Sequence, residues 1–370
     1  MYELRQEILM STGSVSHSPN NLSVFLNETK GLTLACVIHE NQVATLSWDQ
    51  GLNSFTCDNL PIKANDSDAS IIVLQAKYCM PVCRTFPLLV VTTSKGVMVY
   101  DVKTCKLLAW NEMNDTSEPT IREQMYRFTR GITCVENLIV VGSHSGELLV
   151  FRCTGENSII FKGSVQEHDF TIVDIATCRF DDLTCSCDVS GHIAVWYKNF
   201  KSARKKFSTG HEINCINVLR KQVIIGTFTG QLLFYSTLNG QLMAEVNAHI
   251  RQINAIAVAP ESAYVQFSVN LAVVIILAVP TNLSYAYIIF ISLQIISVSD
   301  DTMIRLWKLH VCKPEAYRVE WQHNKRVENM PLVGVQFTND RGSGFVVAAY
   351  DYSKLLYYQI TKLPAGQMEQ

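Results

Sequence analysis

Charge is what this chain has least of. Asp, Glu, Lys and Arg make up 17% of its 370 residues, where soluble domains carry about 25%. That scarcity excludes a disordered chain, a long charged coiled coil and a basic nucleic-acid arm. The 31 basic and 33 acidic side chains nearly cancel, so nothing steers the molecule as a whole toward a polyanion. Helix-length stretches with 3.6-residue periodicity are missing too, which argues against a doubly wound α/β fold. There is no phosphate-binding loop, no G-x-G-x-x-G after a strand, no H-E-x-x-H and no G-x-S-x-G, so no catalytic residue is assigned.

The N-terminal stretch MYELRQEILMSTGSVSHSPNN has no apolar run of signal-peptide length, because Glu3, Arg5 and Glu7 interrupt it. A cytoplasmic protein is expected, with vesicle or membrane association as a variant of that reading. The twelve cysteines fall mostly in apolar runs (Cys36, Cys134, Cys153, Cys178, Cys215) and read as reduced, buried small hydrophobes. Cys79 with Cys83, or Cys185 with Cys187, could supply two metal ligands. Neither pair has a second pair at finger spacing, so no metal and no cofactor is expected.

The missing charge is concentrated. From Ser262 to Ser299 there are 38 residues without one charged side chain. The centre of this segment, LAVVIILAVPTNLSYAYIIFISLQII, is long enough to cross a bilayer. Three readings compete: a membrane element, a buried strand pair turning at Pro280–Asn282, and an insertion foreign to the fold.

What is present is a repeated phrase: an apolar strand, a turn closed by glycine, and an alternating strand ending in an aromatic. It occurs at Leu88–Tyr100, Leu138–Phe151, Ser186–Trp196 and Val223–Tyr235, with turn glycines Gly96, Gly146, Gly191 and Gly230. Two further copies, Ile296–Trp307 and Phe345–Tyr358, carry Thr302 and Ser353 where the glycine belongs. The steps between turn positions are 50, 45, 39, 72 and 51 residues, against about 40–45 for a four-stranded propeller blade. The long step contains the uncharged segment, and subtracting about 30 residues restores the spacing. This favours an insertion at 266–295.

A seventh unit, Asn21 to Gln50, alternates in the same way. The expected fold is therefore all-β: a seven-bladed β-propeller over residues 19–360, with tails at 1–18 and 361–370. Two β-sandwich domains are the alternative. The first blade should complete the last by strand exchange, with Leu22–Leu26 as an outer strand near Leu355–Tyr358.

The stretch from Ala248-His249 to Trp307, AHIRQINAIAV…SVSDDTMIRLW, resembles a WD40 repeat, with His249, Asp301 and Trp307 in the signature places. Weaker copies are His211 with Thr229 and Tyr235, and His168 with Ser190 and Trp196. The resemblance implies a hydrogen-bonded network in each such blade, complete only in the sixth. Over about residues 15 to 355 the chain resembles the WD repeat-containing protein 54 family, in stretches such as GVMVYD at Gly96 and HDFTIVDIAT at His168. It departs from that family at 262–299. The resemblance implies the WD40 type of propeller and a non-catalytic protein-interaction scaffold of the cytoplasm or vesicle surfaces, with a link to growth-factor signalling.

Histidines recurring at repeat spacing argue against catalysis, since a structural histidine repeats with the fold. Asp300-Asp301 reads as a blade turn, with Asp301 bonded to His249, in preference to a metal pair. The basic cluster Lys198, Lys201, Arg204, Lys205 and Lys206 reads as a solvated loop, or as a dock for an acidic peptide or phosphoinositide headgroup. No aromatics interleave it as a nucleic-acid platform requires. The expected partners are proteins, self-association and peripheral membrane contact are open, and nucleic acid is not expected.

Overall fold

A computed structural model describes residues 2–63, 71–113, 128–266, 290–312 and 316–361. Among these there are 28 strands, arranged in seven four-stranded antiparallel sheets. The first strand in sequence is β1 (Tyr2–Leu9). Blade one is β2 (Ser23–Asn27), β3 (Leu32–His39), β4 (Gln42–Asp49) and β5 (Phe55–Pro61). Blade two is β6 (Val73–Cys79), β7 (Leu88–Thr93), β8 (Gly96–Asp101) and β9 (Leu107–Glu112). Blade three is β10 (Thr129–Val135), β11 (Leu138–Ser143), β12 (Glu147–Gly155) and β13 (Ser158–Gln166). Blade four is β14 (Ile172–Cys178), β15 (Leu183–Asp188), β16 (His192–Trp196) and β17 (Ala203–Ser208). Blade five is β18 (Ile213–Leu219), β19 (Gln222–Thr227), β20 (Gln231–Ser236) and β21 (Leu242–Asn247). Blade six is β22 (Ile253–Gln266), β23 (Phe290–Ser299), β24 (Met303–Cys312) and β25 (Ala316–Arg326). Blade seven is β26 (Leu332–Phe337), β27 (Gly344–Ala349) and β28 (Lys354–Ile360), completed by β1.

The seven-bladed propeller is therefore as expected, but its closure is not. Residues 2–9, read from sequence as part of a tail, pair with β28 as the outer strand of blade seven, with Leu4 opposite Tyr358 and Ile8 opposite Leu355. The segment proposed for that role, Leu22–Leu26, lies at the inner end of blade one, where Val24 pairs with Ala35. The charges that interrupt this stretch also suit an outer strand. Glu3, Arg5 and Glu7 fall on its solvent side or half-exposed, and Lys354 reaches Glu7 at 2.5 Å.

No single central core exists. Apolar side chains gather in seven clusters, each shared by two neighbouring blades. The middle strands are buried on both faces, as in β7, β8 and β15. This is why they read as apolar runs with little charge. Outer strands alternate, as β17 does from Ala203 to Ser208.

Two irregularities repeat around the ring. The inner strands of blades two to seven each carry one extra residue, at Leu74, Gly131, Val173, Asn214, Asn254 and Val333. Such bulges bend and twist a strand at the point where it meets the channel. The outer strands shift register beside the buried aromatic that ends each repeated phrase: Tyr100, Phe151, Trp196, Tyr235, Trp307 and Tyr358. The extra residue lets the outer strand curve around the ring.

Most of the segment expected as an insertion, residues 267–289, lies outside the described residues. Its flanks are strands: β22 and β23 pair out to Gln266 opposite Phe290, with an irregularity between Ala259 and Tyr264.

Candidate functional site: polar chains, channel and two faces

In blade six, His249 Nδ1 lies 2.9 Å from Asp301 Oδ2, and Nε2 lies 2.8 Å from Ser297 Oγ. Trp307 Nε1 donates to the same hydroxyl at 3.0 Å. The donor inventory orients this chain. Indole N–H can only donate, so Ser297 accepts from Trp307 and gives its own proton to His249 Nε2. The imidazole is then neutral, with its proton on Nδ1 aimed at Asp301. Burial favours that neutral form and holds His249 below its ordinary value, against the pull of Asp301. Burial opposes ionisation of Asp301 as well. The hydrogen bond and charge of His249, with backbone N–H groups, outweigh it and hold the carboxyl low.

Blade four builds the same chain. His168 Nε2 lies 2.7 Å from Ser186 Oγ, which accepts from Trp196 Nε1 at 2.8 Å. The carboxylate, however, is Asp188, 3.0 Å from His168 Nδ1. Ser190, expected in this role, donates its backbone N–H to Asp188. The fourth blade thus holds a complete chain, and the sixth is not alone. Counted from the shared serine, Asp188 sits two residues earlier than Asp301. Asp188 shares the face of Ser186 at the end of β15, while Asp301 reaches its histidine from the turn beyond β23.

Blade five does not assemble its expected set. Tyr235 donates to the Thr209 carbonyl at 3.3 Å, and Thr229 bonds Thr227 and Gln231. The position of the linking serine is occupied by buried Ile225, so the linking hydroxyl is missing, and His211 meets the Thr209 hydroxyl through its backbone N–H instead. The four turn glycines all have positive φ. A side chain on Gly146, Gly191 or Gly230 would drive into the carbonyl oxygen of His168, His211 or His249 respectively. Each histidine segment therefore clasps the preceding blade through its backbone, and in blades four and six it holds its own blade through its ring. Thr302 takes the glycine's role in blade six at φ 69°. In blade seven the positive φ falls on Asp351 instead of Ser353.

The inner strands enclose a channel of about 730 Å³. Residues 16–21 cross one mouth. Ser18 Oγ donates to Leu74 O, the Asn20 N–H donates to Asn254 O, and Asn20 Nδ2 reaches across to Asp174 Oδ2 at 2.6 Å. Asp174 also accepts the backbone N–H groups of Ile175 and Ile216, and burial pushes its carboxyl up. Asp300 is bonded to His17, Gln252 and Asn254, facing different partners from Asp301. Among the described residues, no group of three His, Cys, Asp or Glu is placed to hold a metal ion. Cys36, Cys153, Cys178, Cys185, Cys187 and Cys215 are buried and in no disulfide, and burial pushes Cys153 up to about 12.

A sequence model of the WDR54 family matches residues 1–292. The chain belongs to the WDR54 family. Among WDR54 relatives, the rat WD repeat domain 54 is 25% identical over 365 residues, covering 96% of this chain and 98% of its own. The human WD repeat-containing protein 54 is 25% identical over 352 residues, covering 93% and 95%. A chain of the crystal structure of the mitotic checkpoint complex superposes with a TM-score of 0.68 at 15% identity, covering 97% of this chain and 92% of that one. It has the same fold.

In this WDR54 propeller the basic cluster divides. Lys198 is taken up by Glu136 and Asp182, and Lys206 by Glu167 at 2.5 Å. Lys205 Nζ reaches the Leu238 carbonyl, and among the described residues Lys201, Arg204 and Lys205 engage no carboxylate. Sequence reasoning missed Arg220 and Lys221, which adjoin the cluster from blade five. It also missed Ser186, Asp188 and Ser297, although a serine ten residues before each tryptophan is a legible signal.

Proposed function

We propose that the protein is a non-catalytic scaffold whose partner docks on the face bearing the second-to-third-strand turns and the interblade loops. WD-repeat propellers support protein interaction, and one observation selects this face. Phe170, Val189, Phe228 and Ile250 stand exposed in an arc over blades four to six, Ile250 at 85%. Val189 and Phe228 are tied through their N–H groups to Thr171 and Glu212 at the foot of the inner strands, which sets them on a rigid ring. Phe170 stacks on His192 at 6.1 Å. Apolar groups held in the open on such a frame are what a protein interface uses. In the channel, buried Asp174 on β14 has both its oxygens engaged, which supports a role without catalysis. A cytoplasmic setting accords with buried thiols such as Cys36, Cys153, Cys185 and Cys215 that form no disulfide.

The test is affinity capture from cell extract with quantitative mass spectrometry, comparing wild type, F170D/I250D and K201E. Loss of the same proteins in the double variant alone supports the reading. Equal capture by all three removes it.

A further inference from the structure

The opposite face carries a second pattern. Antiparallel order puts every first-to-second-strand turn and every third-to-fourth-strand turn at the same end of the ring. On blades four and five these are residues 179–182, 197–202, 220–221 and 237–241. Five cations gather there: Lys201, Arg204, Lys205, Arg220 and Lys221. None engages a carboxylate among the described residues. Lys205 and Lys221 are brought together through the 237–238 turn, since Lys205 Nζ bonds Leu238 O while Thr237 bonds Lys221 O. Arg220 is half-buried, and its Nε has no hydrogen-bond partner among the described residues. Arg204 is the extra residue of the bulge opposite Trp196 and stands exposed.

Beside these cations three large apolar side chains are exposed at turn tips: Phe180, Tyr197 and Leu238.

We infer that this face of blades four and five binds an anionic lipid bilayer, with the cations against the headgroups and the apolar tips at the acyl boundary. An acidic peptide would also answer the charge. The three apolar tips belong to separate turns spaced over two blades, however, and they favour a broad apolar-under-anionic surface over one extended strand of chain. The inference concerns the face opposite the proposed protein dock and does not depend on it.

The test is co-sedimentation of the full chain with phosphatidylcholine vesicles containing about 30% phosphatidylserine, and with vesicles of phosphatidylcholine alone. The wild type should bind only the anionic vesicles, and binding should fall as salt rises from about 0.1 to about 0.5 M. K201E/R204E/K221E, with an unchanged thermal midpoint, should lower the partition coefficient about tenfold or more. L238D should lower it by about threefold. K95E, on the opposite face, should leave it unchanged. Failure of the wild type to bind, survival of binding in the triple variant, or an equal loss with K95E would each overturn the inference. So would binding to a labelled oligoglutamate peptide, abolished by the triple variant, without binding to vesicles.

Discussion

Blade four and blade six hold the same tryptophan–serine–histidine–aspartate chain, yet they differ at two points in the turn. Blade four takes its carboxylate from the end of the second strand, Asp188, and closes the turn with Gly191. Blade six takes it from within the turn, Asp301, and closes with Thr302 at φ 69°. The position left vacant is filled alike: the backbone N–H of Ser190 donates to Asp188, and that of Asp301 donates to the Ser299 hydroxyl. What the two blades share is therefore a carboxylate brought to the histidine, not its number in the repeat. Asp188 brings it along the face of β15, and Asp301 from the turn beyond β23.

The comparison breaks most sharply at the turn. Gly191→Val forces a β-branched residue to φ 89° and drives its Cβ into the His211 carbonyl. It should cost about 3–4 kcal/mol in urea unfolding. Thr302→Val, already β-branched, should cost less than about 1 kcal/mol. Equal losses would show that the clash at position 191 does not set the blade-four turn apart.

Next in size is the carboxylate. Asp301→Ser leaves the buried Nδ1–H of His249 without an acceptor and should cost about 2–3 kcal/mol. Adding Ser299→Asp places the carboxylate where blade four has it, and should bring stability to within about 1 kcal/mol of wild type. If the second change gives no recovery, the interchange of positions is wrong.

Acid should separate the blades further. The folded value of His249 lies below its unfolded one, so the folded state binds fewer protons. Its contribution is full above about pH 6.5 and is lost as pH falls below that. Asp301 and Asp188, whose folded values are depressed, add stability that is present above their unfolded value and lost as pH falls through the folded one. Urea midpoints should therefore drop from pH 7.5 to pH 5 (conditions spanning about one unit either side of the free imidazole value). Replacing His249 with Gln should flatten part of that drop.

The smallest effect is a gain. Thr302→Gly relieves a left-handed β-branched residue at the cost of chain entropy, and should stabilise by about 0.5–1 kcal/mol. A thermal midpoint that falls would mean that Thr302 makes contacts worth more than its strain.

Much of this was legible along the chain because blade physics is local. The second-to-third-strand hairpins sit where the phrase places them from Leu88 to Tyr358, since alternation, a glycine turn and a terminal aromatic act within about a dozen residues. His249, Asp301 and Trp307 were read correctly because all three keep their usual places. Ser190 was not, because position in a repeat stood in for the face of a strand. His211, Thr229 and Tyr235 failed for a related reason: the residue that decides the matter, Ile225, is an unremarkable apolar residue in an apolar run. Residues 2–9 were read as part of a tail, since an outer strand buries only one row of side chains and resembles loop in composition.

The low charge content shows the same division. The sequence alone determined that blades are stacked on both faces, how many there are, which residues turn between strands and where the spacing is broken. These follow from short-range periodicity and side-chain size. Tertiary structure decided which strand closes the ring, which carboxylate meets each histidine, that residues 16–21 cross the channel mouth, and which cations on the far rim lack a carboxylate. Those outcomes join residues tens or hundreds of positions apart, such as Leu4 with Tyr358 and Asn20 with Asp174. Only closure of the ring brings them within hydrogen-bonding distance.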